Sequence, residues 1–119
     1  MTALELVQAC AGEPPHYQLH INDFIDEFRK ASTDQRARMV AEGPAHSGRI
    51  EGLVAAVVSA LCREVATPAP NWVQHIHSPE PFFVLPARGF ALRVRLMLES
   101  PPPFRCRNVF VPENYLARA

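Results

Sequence analysis

Apolar positions repeat with helical spacing over most of this chain. From about residue 18 to 31, Ile21, Phe24, Ile25 and Phe28 recur three and four apart, the stripe of an amphipathic helix, with Asp23, Asp26, Glu27 and Arg29 off it. A longer and more apolar segment, residues 47–66, carries Ile50, Leu53, Val54, Val57, Val58, Leu61 and Val65 on one side. Ala55, Ala56 and Ala60 lie on the other. A helix with so little polar perimeter is expected at the centre, wrapped by its neighbours. Two starts are marked by capping boxes, in which a hydroxyl and a carboxylate or amide satisfy orphan backbone donors. Thr2 with Glu5 opens a helix that Gly12 and Pro14-Pro15 close. Ser32 with Gln35 opens a short polar helix pinned by Met39 and Val40 and ended by Gly43-Pro44.

Residues 67–86 hold five prolines in twenty positions, together with Trp72, Phe82 and Phe83. Proline removes a backbone donor and biases the preceding residue towards extended geometry. Rings of this size do not belong in a flexible spacer, so an ordered, irregular crossing docked on the helices is expected. In residues 88–100 two patterns compete. Phe90, Leu92, Val94, Leu96 and Leu98 alternate as in a strand, whereas Phe90, Val94, Met97 and Leu98 form a usable helical face among good helix formers. Helix is preferred; the strand alternative would pair with residues 108–111 in a small hairpin. The expected architecture is therefore mainly α: one domain, residues 1–119, a helical bundle around a buried central helix at about 47–66. A proline-rich crossing (67–87) and a basic C-terminal segment (88–119) complete it.

Composition fits a chain that folds on its own core, being 48% hydrophobic and 20% charged over 119 residues. Cys10, Cys62 and Cys106 are odd in number and widely spaced, which suits neither a disulfide framework nor a zinc site. The N-terminus lacks the basic start and apolar core of a secretory signal, and the apolar run at 53–62 is too short to span a bilayer. A cytoplasmic protein without membrane contact is expected. The net charge of zero conceals a division. Residues 1–87 carry six basic groups against ten acids, or −4, and residues 88–119 carry six arginines against two glutamates, or +4. Such polarity can steer a partner, or join two parts of one fold or of two copies in a homo-oligomer.

Candidate chemistry is sparse. His75 and His77 make one close pair, but zinc wants three or four converging ligands; two loop histidines beside Trp72 are the plainer reading, and a small His-dependent metalloprotein or enzyme is the third-ranked function. No serine elbow or phosphate-cradling glycine loop is present. Cys106 between Arg105 and Arg107 has cations to favour a thiolate but no histidine close by in sequence. Nothing calls for a cofactor, a metal or a catalytic residue. Nucleic acid is the second-ranked partner, through the arginines and Phe90, Phe104, Phe110 and Tyr115 of the last third, although no recognition-helix motif accompanies them.

The end of the chain, ESPPPFRCRNVFVPENYL, is the most specified stretch. Pro101-Pro102-Pro103 is expected to form a stiff extended turn anchored by Phe104. Arg105 and Arg107 would point outward around Cys106, and a short helix would follow Pro112. Arginine and tryptophan most often dominate interface energies, and a braced turn lowers the ordering cost of presenting them. The candidate partner-binding residues are thus Arg105, Arg107 and Asn108, with Trp72 and Phe104 as anchors. Glu-Ser-Pro, Phe-Arg-x-Arg-Asn and Phe-Val in this order, after Pro70-x-Trp72, resemble the C-terminal part of a group of small bacterial antitoxin-like or regulator-like proteins. These are often encoded beside a nucleotidyltransferase-type toxin. The resemblance covers about residues 45–119 and implies a non-catalytic protein that binds and occludes a toxin-like enzyme. Some members carry an N-terminal helix-turn-helix, and this chain has no such motif before Ala45, which argues against DNA-binding autoregulation.

Overall fold

Both capping boxes form, and the chain winds into helices where its apolar stripes recur. The computed structural model describes residues 1–84 and 89–117. Thr2 Oγ1 accepts the Glu5 amide while Glu5 Oε1 accepts the Thr2 amide, opening α1 (Ala3–Gly12). A 3-10 turn at Pro14–His16 leads into α2 (Tyr17–Lys30), whose Ile21, Phe24, Ile25 and Phe28 are all buried. Ser32 and Gln35 repeat the reciprocal cap at the start of α3 (Thr33–Val40). Then comes α4 (Arg49–Glu64), with nine buried residues on both its valine side and its alanine side. It touches α1, α2, the 3-10 turn at Asn71–His75 and the C-terminal elements, so the helix with the most buried residues is the central one. Where α4 crosses the later chain, Gly52 leaves no room. A Cβ there would stand 2.7 Å from the Ser78 amide nitrogen.

The segment after α4 is ordered and irregular. Its tryptophan is half-buried and donates from Nε1 to the Val40 carbonyl at 2.8 Å, which ties the crossing to the end of α3. Residues 85–87 of this crossing, and residue 88 after it, lie outside the described residues. Segment 88–100 resolves in favour of helix: α5 spans Phe90–Glu99, entered through Gly89 at φ +88°, a conformation that L side chains rarely adopt. A sheet exists, but it is not a hairpin. β1 (Phe82–Phe83) pairs in parallel with β2 (Val109–Phe110), because α5 already occupies the sequence that a hairpin would have used.

Two further expectations are corrected at the C-terminus. The proline run is not an extended turn: α6 (Pro102–Arg105) is one helical turn that begins within it. Proline's fixed φ and missing amide suit the first positions of a helix, where those donors have no partner anyway. Residues 113–116 form turns in place of a last helix. Tyr115 still packs edge-on against Phe104 at 5.6 Å between ring centroids and donates to Gln18 Oε1 at 2.7 Å. Arg29 holds the Leu116 carbonyl at 2.8 Å. The same Arg29 makes a two-pronged ion pair with Glu64 that holds this carboxyl below its usual range. Both members of that pair lie in the acidic front, residues 1–87, and the basic rear is joined to the front here by the Tyr115–Gln18 and Arg29–Leu116 hydrogen bonds.

Candidate interaction surface

Four of the five expected partner-binding residues come together around one turn. After α6, Asn108 takes up a left-handed conformation, φ 63°, which the short amide side chain tolerates. Its Nδ2 donates to the Ser78 carbonyl at 3.2 Å, and its own carbonyl receives the Phe82 amide at 3.0 Å. Phe104 is fully buried, as expected of the anchor. Trp72 stands one residue from Val73, to which the turn is tied.

The two arginines part company. Arg105 is exposed. Arg107 is only 9% exposed, and it does not point outward. Its Nε donates to the Val73 carbonyl at 3.0 Å and its Nη1 to the Pro103 carbonyl at 2.7 Å. The physical reason lies in unpaired carbonyls. The 3-10 turn at Asn71–His75 and the first turn of α6 both leave oxygens without intrahelical partners. A planar guanidinium satisfies two such oxygens at once, as no other side chain here can. The expectation of two presented guanidinium groups is therefore corrected to one presented and one bracing. For nucleic-acid contact the last third likewise loses Arg107 to the interior.

Cys106 is exposed, 3.3 Å from Arg107 Nη1. Cys10 and Cys62 are buried, and burial pushes the Cys10 thiol up to about 11 and raises that of Cys62. His75 and His77 are both exposed. The hydroxyl of Ser47 accepts the His77 amide at 3.2 Å and lies 3.4 Å from its Nδ1, closing the loop before α4. Among the described residues no group of three His, Cys, Asp or Glu side chains converges on a point that could hold a metal ion. No described helix is long and apolar enough to cross a membrane.

The surface that sequence reasoning did not place is on α5. Of its ten residues only Leu96 is buried, against Phe110 and Phe83 in a small satellite cluster. Phe90 is 83% exposed and Leu98 73%, with Leu92 and Met97 at about two-fifths. At about 100° per residue, Met97, Phe90, Val94, Leu98 and Ala91 share one arc of roughly 120°, opposite Leu96. The helical face legible in the sequence is thus real but turned outward. Arg93 and Arg95 stand at its two borders. Arg93 lies over the Phe83 ring at 5.5 Å and Arg95 pairs with Glu99 at 3.4 Å. Beside the helix runs a groove of about 500 Å³, lined by Phe83, Phe90, Val94, Met97, Pro81 and Glu80. The signal was present in the alternation itself. A helix apolar at Phe90, Leu92, Val94, Leu96 and Leu98 is apolar on two sides, and a helix at the edge of a bundle can bury only one.

Comparison with protein-family models, with curated proteins and with solved structures gave no match for this chain.

Proposed function

We propose that the chain is a non-catalytic protein-interaction module, an antitoxin-like regulator of the bacterial cytoplasm that binds a toxin-like enzyme and occludes its site. The observation that carries this reading is the outward apolar face of α5. Folded proteins seldom leave Phe and Leu side chains contiguous and three-quarters bare unless another molecule covers them. Arg105, held out by a turn that Phe104 and Arg107 fix from inside, supplies a cation on the same basic third of the chain. It is the partner contact retained from the arginine pair. Trp72, Phe104, Arg107 and Asn108 act in this reading by holding that turn in shape.

The test is co-expression of the tagged chain with the product of its neighbouring gene. The wild-type chain is expected to retain that product through purification and to inhibit its activity, and Leu98→Glu to lose both while remaining folded. Arg105→Ala should weaken the complex several-fold. If no complex forms, or Leu98→Glu retains and inhibits the enzyme as the wild type does, the reading is wrong.

A further inference from the structure

Away from α5, the start of α4 meets the start of β1. Arg49, the first residue of α4, lays its guanidinium over the Phe82 ring at 4.5 Å from the ring centre, and that ring is buried and held in the sheet. The flat face of the guanidinium is thus used, but its edge is not. Arg49 is exposed, and among the described residues it has no hydrogen-bond or ion-pair partner. Two residues on, the Glu51 carboxylate lies against Gly48, in the space that a side chain at residue 48 would fill. Among the described residues it too has no such partner. Both side chains line one cleft of about 430 Å³, whose walls also include Pro14, Tyr17, Ile50 and Phe82.

We propose that this cleft binds a free α-amino acid with an apolar side chain. Arg49 receives its carboxylate, Glu51 its ammonium, and the remaining walls its side chain. The site is separate from the outward face of α5 and does not rest on the interaction reading.

Three features select that chemistry. A guanidinium lying flat on a ring directs its N–H fork sideways, the geometry that receives a carboxylate in two parallel bonds. The ring also holds it in place, so less order is lost on binding. Next, a cation and a carboxylate share the cleft without pairing with each other. A ligand that carries both charges close together meets a partner for each, whereas a simple anion would face Glu51 and a simple cation would face Arg49. A peptide fits less well, because its chain separates the two charged ends. Finally, the volume falls within the roughly 300–1,000 Å³ of small-molecule sites, and the other walls are aromatic and aliphatic. Tyr17 offers its ring alone, since its hydroxyl already donates to the Val84 carbonyl at 3.0 Å.

The test is a titration of the full, isotope-labelled chain with free leucine and free phenylalanine, followed by amide chemical shifts. Both are expected to shift the amides of residues 48–52 and to saturate at about 1–10 mM. N-acetyl-leucine lacks the ammonium, leucinamide the carboxylate and glycine the side chain. Each should bind roughly tenfold more weakly than leucine, or worse. Arg49→Gln should remove leucine binding. Glu51→Gln should remove the preference for leucine over N-acetyl-leucine. Gly48→Ala should weaken leucine binding by displacing the Glu51 carboxylate, because residue 48 has an extended backbone, φ −179°, that alanine adopts freely. Unchanged amide shifts away from the cleft show that the variants fold, and the comparison of ligands on the wild type stands without them. No saturable shift up to about 20 mM of either amino acid overturns the inference. So does binding of N-acetyl-leucine or leucinamide as tight as that of leucine, displacement of leucine by inorganic phosphate, or leucine binding that survives in both Arg49→Gln and Glu51→Gln.

Discussion

Arg107 shows how a residue read as presented becomes a brace. Its guanidinium replaces water for the carbonyls of Val73 and Pro103, and hydrogen bonds with a charged partner contribute more than neutral ones. Arg107→Ala should therefore destabilise the fold by about 2–4 kcal/mol, since it leaves two carbonyls short of a partner. Arg107→Lys should restore only part, because an ammonium on a flexible stem cannot serve both oxygens in one plane. Arg105→Ala, at an exposed position, should stay within about 0.5 kcal/mol of the wild type. Urea midpoints for the three variants decide the matter. Equal losses for Arg105→Ala and Arg107→Ala would mean that the two side chains are not divided as described. Sequence could name both residues but not separate them, because the Val73 carbonyl that captures Arg107 is brought there only by folding.

At the scale of elements, α5 is the helix whose two apolar sides have different fates. Leu96 packs on Phe110 and Phe83, so Leu96→Ala should cost about 2–3 kcal/mol. Leu98→Glu, on the outward side, should cost about 0.5 kcal/mol or less and make the protein more soluble. Thermal melts of the two variants test this, and a Leu98→Glu loss as large as that of Leu96→Ala would place the outward face inside. Helices α1 to α4 were legible because their patterns have one apolar side, or none that is polar, and the starts of α1 and α3 carry capping boxes. The pairing of β1 with β2 was not legible. A two-residue strand has almost no sequence signal, and its partner lies across the whole of α5 and α6.

Across the whole molecule, the core is closed by buried groups that resist ionisation. Burial raises the thiols of Cys10 and Cys62 and the phenols of Tyr17 and Tyr115, the last two despite opposing contributions from Arg49 and from the Gln18 hydrogen bond. A group whose pKa is higher folded than unfolded contributes its full stability below the unfolded value. It loses that contribution as pH rises towards the folded one. From neutral pH upward, stability should accordingly be flat to about pH 8.5, the ordinary thiol value, and then fall through about pH 11 as unfolded thiols and phenols ionise first. Urea denaturation across that range is the measurement. Replacing Cys10 and Cys62 together by alanine should lower the plateau but flatten the first part of the decline. An unchanged decline would show that the thiols do not contribute to it.

By itself the sequence determined the helical class, the central position of α4, both capped helix starts, the ordered proline crossing and the anchoring of Phe104. These follow from local periodicity, proline and hydroxyl chemistry, and the need to bury large rings, all of which act between residues close in the chain. Only the tertiary structure decided which side of α5 faces out, which arginine is spent on carbonyls, and that the strands run parallel. Each of those outcomes depends on a partner more than ten residues away. Burial on one side of a helix is settled by what the fold happens to place there.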